Sequence, residues 1–254
     1  MMKKKIKFGI KIANRNFNLI PEIYNHKNII DFIEIILMPN FTSYDIEFIK
    51  TLELPYAIHF PNSNYGIDFG NINLNIQNSE FIEKINSFNK ELHPICYIVH
   101  PESGDISLSI KKIKSLKIKP IALENMPVKS LIEGNLLGYD INSLQTYFKR
   151  INNLEFCLDI NHAIKTATTK KIDSLAFIKK LLEFKKPIIF HISGGNIKNE
   201  FDEHLPLYEG NYNISEIKEI LMGLENVNLT FETPRNNENN IKDDLVNMDF
   251  FIKS

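Results

Sequence analysis

Several residue types are scarce in this chain, and each scarcity excludes a class of protein. Tryptophan is absent, and cysteine occurs twice among 254 residues. Cys96 and Cys157 both lie inside apolar runs, which indicates two buried, reduced thiols and not a disulfide framework. No apolar run approaches the roughly 18 residues of a membrane span, and the start MMKKKIKFGI lacks a signal-peptide core. We therefore expect a soluble, cytoplasmic protein.

The chain also has few glycines and almost no net charge. The first β-type run reads FGIKIANRN, and no glycine-rich phosphate fingerprint follows it. An open nucleotide-binding sheet thereby loses its main support in the sequence. The formal net charge is -1, which argues against binding that depends on bulk attraction to nucleic-acid phosphates, although a local basic patch could coexist with it. Nucleic acid is neither implied nor excluded.

Apolar runs typical of β-strands alternate with helical segments along the whole chain. The eight runs cover residues 6–12, 32–37, 56–60, 95–100, 120–124, 155–160, 187–192 and 228–232. Between them lie segments with apolar residues three and four positions apart, as in INSLQTYFKRI. This alternation predicts a parallel sheet covered by helices. Eight strands in a chain of this length predict an α/β fold with one closed (β/α)8 TIM barrel, which takes up residues 1–254 as a single domain.

Metal-type side chains follow these strands at the points where the strands end. Five of the seven histidines and four carboxylates are placed in this way. They are His59, His100, Glu124, Asp159, His162, His191, Asp202, His204 and Glu232. The C-terminal ends of the strands meet on the face where barrels of this kind assemble their sites. We therefore expect these donors to lie close together and to bind metal.

The two remaining histidines serve as an internal comparison. His26 and His93 lie in segments that lead into strands, which predicts a position on the opposite face of the barrel. A single histidine in an apolar context is usually structural, but here six consecutive strands each deliver a donor to one rim. The carboxylates Glu124, Asp159 and Glu232 would also repel one another without cations, so a metal cluster is the economical interpretation.

Other residues of the same rim leave alternatives open. Asp202 and His204 are two positions apart, which in an extended segment points both side chains the same way, although a solvated acidic loop could have the same sequence. Arg15 and Arg235 follow the first and last strands and either bind a phosphate or carboxylate of the substrate or are exposed surface arginines. Glu34 in the second strand either points into the barrel mouth or pairs with a lysine.

At these residues the chain resembles the xylose isomerase-like TIM-barrel superfamily, in particular the branch that contains endonuclease IV and the sugar phosphate isomerases or epimerases. The resemblance is carried by the segments IHFPNSNYGIDFG, IVHPESGD, ALENMP, CLDINHA, FHISGGN, DEHLPLYEGN and FETP, which span nearly the whole chain. Each segment alone is a weak signal, but as an ordered set they are specific for the superfamily.

The resemblance to endonuclease IV implies a site with up to three divalent ions. The ligands of the first ion correspond to His59, His100 and Glu124, those of the second to Glu124, Asp159, His191 and Glu232, and those of the third to His162, Asp202 and His204. Zinc is the expected metal, with manganese, iron, cobalt or magnesium as alternatives. In that family a metal-activated hydroxide attacks the phosphorus of a phosphodiester. The resemblance therefore implies a phosphoester hydrolase whose reacting residues are Glu124, Glu232 and His162.

Departures from the endonuclease IV pattern leave the substrate open. The first strand does not lead into a histidine-containing, glycine-rich segment, and Tyr208 replaces the glycine pair of the seventh loop. In that family both loops help to grip DNA. The glutamate in the second strand is closer to the sugar isomerase-like members, which hold one divalent ion at the four positions of the second ion. Against them, Ser130 stands where those epimerases place a glutamate.

Three classes of function stay open at this point. The first is phosphoester hydrolysis at a multinuclear metal site, acting on a small phosphorylated substrate or on DNA that contains an abasic site. The second is isomerisation or epimerisation of a sugar or sugar phosphate with a single divalent metal. The third is a metal-binding barrel that serves as a scaffold for a partner, and it is the least favoured because every donor is retained. The sequence does not determine the oligomeric state.

Overall fold

The computed structural model describes residues 5–129 and 135–254 of the chain. Eight parallel strands form a closed barrel in which neighbours in sequence are neighbours in space, and the first strand also pairs with the eighth. The strands are β1 (Ile6–Ala13), β2 (Ile30–Ile36), β3 (Tyr56–His59), β4 (Tyr97–Val99), β5 (Ile121–Glu124), β6 (Leu154–Asp159), β7 (Ile189–Ile192) and β8 (Val227–Phe231). The predicted TIM barrel is therefore confirmed.

Helices lie between the strands and cover the barrel. In the described ranges they are α1 (Ile20–Asn25), α2 (Ser43–Lys50), α3 (Asn75–Ser87), α4 (Ile106–Ser115), α5 (Ile141–Arg150), α6 (Ile160–Lys170), α7 (Ser174–Phe184), α8 (Ile214–Met222) and α9 (Lys242–Lys253). Among these described helices, none combines the length and the apolar character that crossing a bilayer requires. Buried apolar side chains of the helices and of the outward strand faces form the large core between the two layers.

The inward strand faces form a second, smaller apolar layer inside the barrel. It consists of Phe32, Ala57, Cys96, Ile98, Ala122, Cys157 and Ile189. Gly9 belongs to the same level, because a Cβ atom there would lie 2.2 Å from the Phe32 ring, which fills that space instead. Both cysteines are free and buried, as expected from their apolar surroundings in the sequence. This layer closes the barrel below the candidate site.

Candidate metal centre

A polar layer lies directly above the apolar layer inside the barrel, and the two-residue period of the β-strands explains why. Residues two positions apart in a strand point to the same side, so the side chain two residues after each interior apolar residue also points inward, one level higher. The lower and upper residues of five strands are Ala57 and His59, Ile98 and His100, Ala122 and Glu124, Cys157 and Asp159, and Ile189 and His191. Strand register alone therefore gathers these five upper residues.

The structure brings all nine predicted donors to the C-terminal rim of the barrel. Six of them stand in or directly after strands β3 to β8, and His162 lies in the first turn of α6. Asp202 and His204 come from the loop between β7 and α8. His26 and His93 precede β2 and β4 and so lie at the opposite end of the strands.

The first predicted group joins two imidazoles and a carboxylate. The Nε2 atoms of His59 and His100 are 2.9 Å apart. Glu124 Oε2 lies 3.2 Å from His100 Nε2 and 3.8 Å from His59 Nε2. All three side chains are buried. Three donor atoms of the three residues therefore face one another at the end of three consecutive strands.

The second predicted group is centred on His191 Nδ1. This nitrogen lies 2.7 Å from Glu232 Oε1, 3.3 Å from Glu124 Oε2 and 3.9 Å from Asp159 Oδ2. Asp159 Oδ2 is buried and has no hydrogen-bond partner among residues 5–129 and 135–254. An unpartnered buried carboxylate oxygen is costly, and a metal ion at this point would satisfy it.

The third predicted group lies nearer the surface. Asp202 Oδ2 is 3.0 Å from His204 Nε2 and 3.4 Å from His162 Nε2. Two neighbouring side chains hold Asp202 in place, because Asn161 Nδ2 donates to Asp202 Oδ1 at 2.6 Å and the Tyr212 hydroxyl donates to Asn161 Oδ1 at 2.6 Å. The other carboxylate oxygen, Oδ2, is thus the one presented to the histidines.

Glu124 stands where the three groups meet. Its Oε2 atom contacts His100 and His191, one from each of the first two groups, and its Oε1 atom lies 3.2 Å from His162 Nδ1. Ligand atoms bound about 2.0–2.2 Å from one zinc ion lie roughly 3 to 4 Å from one another. The distances within the first and third groups, and those from His191 Nδ1 to the three carboxylates of the second group, fall in this range or just below it. The donor set therefore fits divalent metal in chemistry, and the first and third groups fit it in geometry as well.

Backbone carbonyls fix the orientation of two histidines. His162 Nδ1 donates to the Asn125 carbonyl at 2.9 Å, and His204 Nδ1 donates to the Glu232 carbonyl at 2.8 Å. A carbonyl oxygen only accepts hydrogen bonds, so in each ring the hydrogen resides on Nδ1. Each Nε2 atom faces Asp202 Oδ2 and is the nitrogen that is left to bind a metal ion.

Burial and neighbouring charges shift the pKa values of the donors in opposite directions. Burial lowers the pKa of His59 to about 4. Burial also disfavours the imidazolium of His100, but the Glu124 and Glu102 carboxylates together outweigh it and raise the pKa of His100 to about 9. Burial raises the pKa of Asp159 to about 6. Neighbouring groups with such divergent pKa values are typical of functional sites.

Two charged residues near this centre were not found from the sequence. Lys11 in β1 donates to the Glu232 carboxylate and lies 3.5 Å from Glu34 Oε1, so its ammonium is a fixed cation inside the site. Lys11 stands two residues after Gly9, at the inward parity, which was a usable signal. Glu102, which has a φ of 54°, lies with Oε1 3.2 Å from His100 Nδ1. Glu102 lies in the loop after β4, so the alternation of residues in a strand does not identify it.

The two predicted substrate-binding arginines lie outside the donor cluster. Arg15 is exposed, and its guanidinium pairs with Glu238 at 3.8 Å. Arg235 Nε and Nη2 donate to the two carboxylate oxygens of the buried Asp244 at 2.5 and 2.9 Å, and Nη2 also donates to the Lys11 carbonyl. The guanidinium of Arg235 thereby ties α9 to β1.

The donors line a small cavity that opens on the rim. Its volume is about 100 Å³. Lys11 and seven of the nine donors form part of its wall, and the segment after β3 supplies the rest of one side through Phe60, Pro61, Asn62 and Tyr65. The cavity is below the 300–1,000 Å³ that is usual for sites of drug-sized ligands. A compact chemical group fits it.

Comparison with known families assigns the class of protein. A family model described as xylose isomerase-like TIM barrel matches residues 109–249. This range is more than half of the chain, so the chain belongs to that family. The resemblance found in the sequence is thereby confirmed. No curated protein matches the chain.

Solved structures with the same architecture include an epimerase-like protein, an endonuclease IV and a protein soaked with zinc. A D-tagatose 3-epimerase-like protein is 23% identical, with a TM-score of 0.65 over 97% of this chain and 96% of that one. Endonuclease IV from Thermus thermophilus is 17% identical, with a TM-score of 0.70 over 97% and 98%. The TTHB071 protein from the same organism, soaked with ZnCl2, is 11% identical, with a TM-score of 0.63 over 98% and 97%. At these identities the likeness shows the fold alone.

Proposed function

We propose that this protein is a metal-dependent hydrolase that cleaves phosphoesters at a centre of up to three divalent ions, most readily zinc. The position of Glu124 carries the proposal. Its Oε2 atom lies 3.2 Å from His100 Nε2 and 3.3 Å from His191 Nδ1, one from each of the first two groups. Its Oε1 atom lies 3.2 Å from Nδ1 of His162, whose Nε2 atom belongs to the third group. A single-ion site needs the second group alone, so the complete first and third groups favour a multinuclear centre.

The residues of the site would have two roles in such a reaction, which are to bind the metal ions and to supply fixed positive charge. The nine donors would hold the ions, which when bound supply a nucleophilic water at neutral pH and positive charge for the developing oxyanions. Glu124 would serve as the ligand shared between groups. Lys11 lines the cavity and stays charged, because Glu232 and Glu34 outweigh the effect of burial and raise its pKa. Its ammonium adds a fixed positive charge beside an anionic substrate.

Metal content is the first test. The protein, purified without chelator and then equilibrated with excess zinc and desalted, should contain two to three ions per chain by elemental analysis. His100→Ala should lose the first ion, and the matched variant His93→Ala, at the opposite end of the barrel, should retain the full number. One ion or fewer in the wild type, with the third group empty, would exclude the multinuclear centre.

Activity is the second test, and it also addresses the substrate. Bis(p-nitrophenyl) phosphate, p-nitrophenyl phosphate and a DNA duplex with one abasic site cover a small diester, a small monoester and the repair substrate. We expect hydrolysis of at least one of them by the zinc-loaded protein and a loss of about a hundredfold or more in Glu124→Gln. Full metal content without hydrolysis of any phosphoester would favour the other candidate functions.

A second candidate is isomerisation or epimerisation of a sugar or sugar phosphate with one divalent ion. The small cavity favours it, because a compact substrate fits a volume of about 100 Å³ better than a duplex does. Ser130, which departs from the epimerase pattern, lies outside the described residues. Incorporation of deuterium into a panel of ketoses in heavy water tests this candidate with manganese, cobalt and magnesium in turn. No incorporation with any metal would contradict it.

A further inference from the structure

One buried carboxylate contacts a histidine from each of the first two donor groups. Glu34 in β2 is completely buried. Its Oε1 atom lies 2.6 Å from His59 Nδ1, and its Oε2 atom lies 3.0 Å from His191 Nε2. The two imidazole rings are nearly parallel, with centroids 5.4 Å apart. Glu34 is thus an interior link between β3 and β7.

The contacts of Glu34 determine which nitrogen of each ring faces the metal groups. An ionised carboxylate only accepts hydrogen bonds, so His59 carries its hydrogen on Nδ1 and His191 carries it on Nε2. The remaining nitrogens are His59 Nε2, which faces His100 and Glu124, and His191 Nδ1, which faces Glu232. A neutral imidazole must present a lone pair to bind metal, and because Glu34 occupies the other nitrogen of each ring, these two atoms are the ones left to bind it.

Two further groups hold Glu34 in its ionised, bridging position. The Thr230 hydroxyl donates to Oε2 at 2.7 Å, and the Lys11 ammonium lies 3.5 Å from Oε1. Both oxygens therefore have a histidine and one additional stabilising group.

We propose that Glu34 is a positioning residue that sets the tautomers of His59 and His191 together, and so prepares the first and second metal groups as one unit. The inference rests on the proposed metal centre. The third group has its own fixing contacts, the carbonyls of Asn125 and Glu232, and does not depend on Glu34.

Glu34→Gln tests the inference with almost no change of shape. The amide has one accepting oxygen and one donating NH2 group, so it accepts from one ring while its NH2 group opposes the N–H of the other. We expect zinc affinity at the first two groups to fall about 10- to 100-fold, as is usual when a group that orients a ligand is lost. The third group should keep its ion. Glu80→Gln, an exposed residue of α3, is the matched control.

Histidine tautomers supply a readout that a merely structural role would not move. Long-range 1H–15N spectra of the zinc-loaded wild type should show His59 protonated on Nδ1 and His191 protonated on Nε2, and at least one of these patterns should change in Glu34→Gln. If that variant does not fold, Thr230→Val removes only the donor to Oε2 and should weaken the second group about three- to tenfold.

The outcomes separate this inference from the proposed function. A wild type that binds no zinc would overturn the metal centre itself. A wild type that binds zinc, with unchanged affinity and unchanged histidine spectra in Glu34→Gln and Thr230→Val, would overturn the role of Glu34 alone. Loss of zinc from the third group together with the first two would also overturn it, because it would make Glu34 a general structural residue.

Discussion

The Lys11 ammonium at the end of β1 donates a hydrogen bond to the Glu232 carboxylate that follows β8, across the seam where the first and last strands close the barrel. The Lys11 side chain is 13% exposed and the Glu232 side chain 8%. Removing one partner of a buried ion pair leaves an uncompensated charge, which is strongly unfavourable. Lys11 is therefore both a stabilising residue and a charge within the candidate site.

Lys11→Met should destabilise the protein in the presence of chelator by about 3 kcal/mol, because Glu232 and Glu34 lose their nearby cation. Added zinc should recover much of this loss, since metal ions bound to Glu232 replace the missing positive charge. Urea unfolding with EDTA and with zinc measures both effects. Lys7→Met, an exposed position of the same strand, is the control and should change stability little. Equal losses with EDTA and with zinc would contradict the charge-compensation argument.

Gly195→Ala should release the third ion before the other two. A Cβ atom at this position would lie 2.2 Å from the Tyr212 hydroxyl and 3.2 Å from Asn161 Oδ1, the pair that holds Asp202. Tyr212 must then move, and Asp202 loses its support. Elemental analysis should show about one ion fewer per chain, with Gly223→Ala as the control. Retention of the full metal content would show that the Tyr212 to Asp202 chain of hydrogen bonds is dispensable.

Strand periodicity explains why so much of the fold and the donor set was predictable. Alternating apolar runs define the barrel, and residues at strand ends must meet on one rim, whatever the loops do. Contacts between side chains distant in sequence were not predictable in the same way. The sequence left Arg235 as either a substrate ligand or a surface residue, because its pairing with Asp244 depends on how α9 packs against β1. The partners of Glu34 likewise become visible only when β2 is brought together with the four strands that carry them, β1, β3, β7 and β8.

The stability of the protein in chelator should decrease as the pH rises from about 6.5 to about 9. His100 has its pKa raised to about 9 in the folded protein because Glu124 and Glu102 together outweigh burial, whereas the unfolded chain titrates near 6.5. A raised pKa contributes stability that is complete below the unfolded value and is lost as the pH passes the folded value. Thermal unfolding in EDTA at several pH values measures the trend. His204, whose pKa is also raised to about 9, contributes in the same range, so His100→Gln should make the trend shallower without removing it. An equally steep trend in that variant would contradict the contribution of His100.

Arg235→Met should destabilise the protein by about 3–5 kcal/mol, because Asp244 is 1% exposed and loses the partner of its buried charge. Arg15→Met should change stability by less than about 0.5 kcal/mol, as is usual for exposed surface positions.

Arg15→Met is therefore the variant that tests substrate binding without a change in stability. If it contacts an anionic substrate, its loss should raise KM several-fold with kcat nearly unchanged, and the increase should diminish at high salt because exposed charges are screened. Unchanged KM in Arg15→Met for every hydrolysed phosphoester would remove Arg15 from the substrate-binding residues.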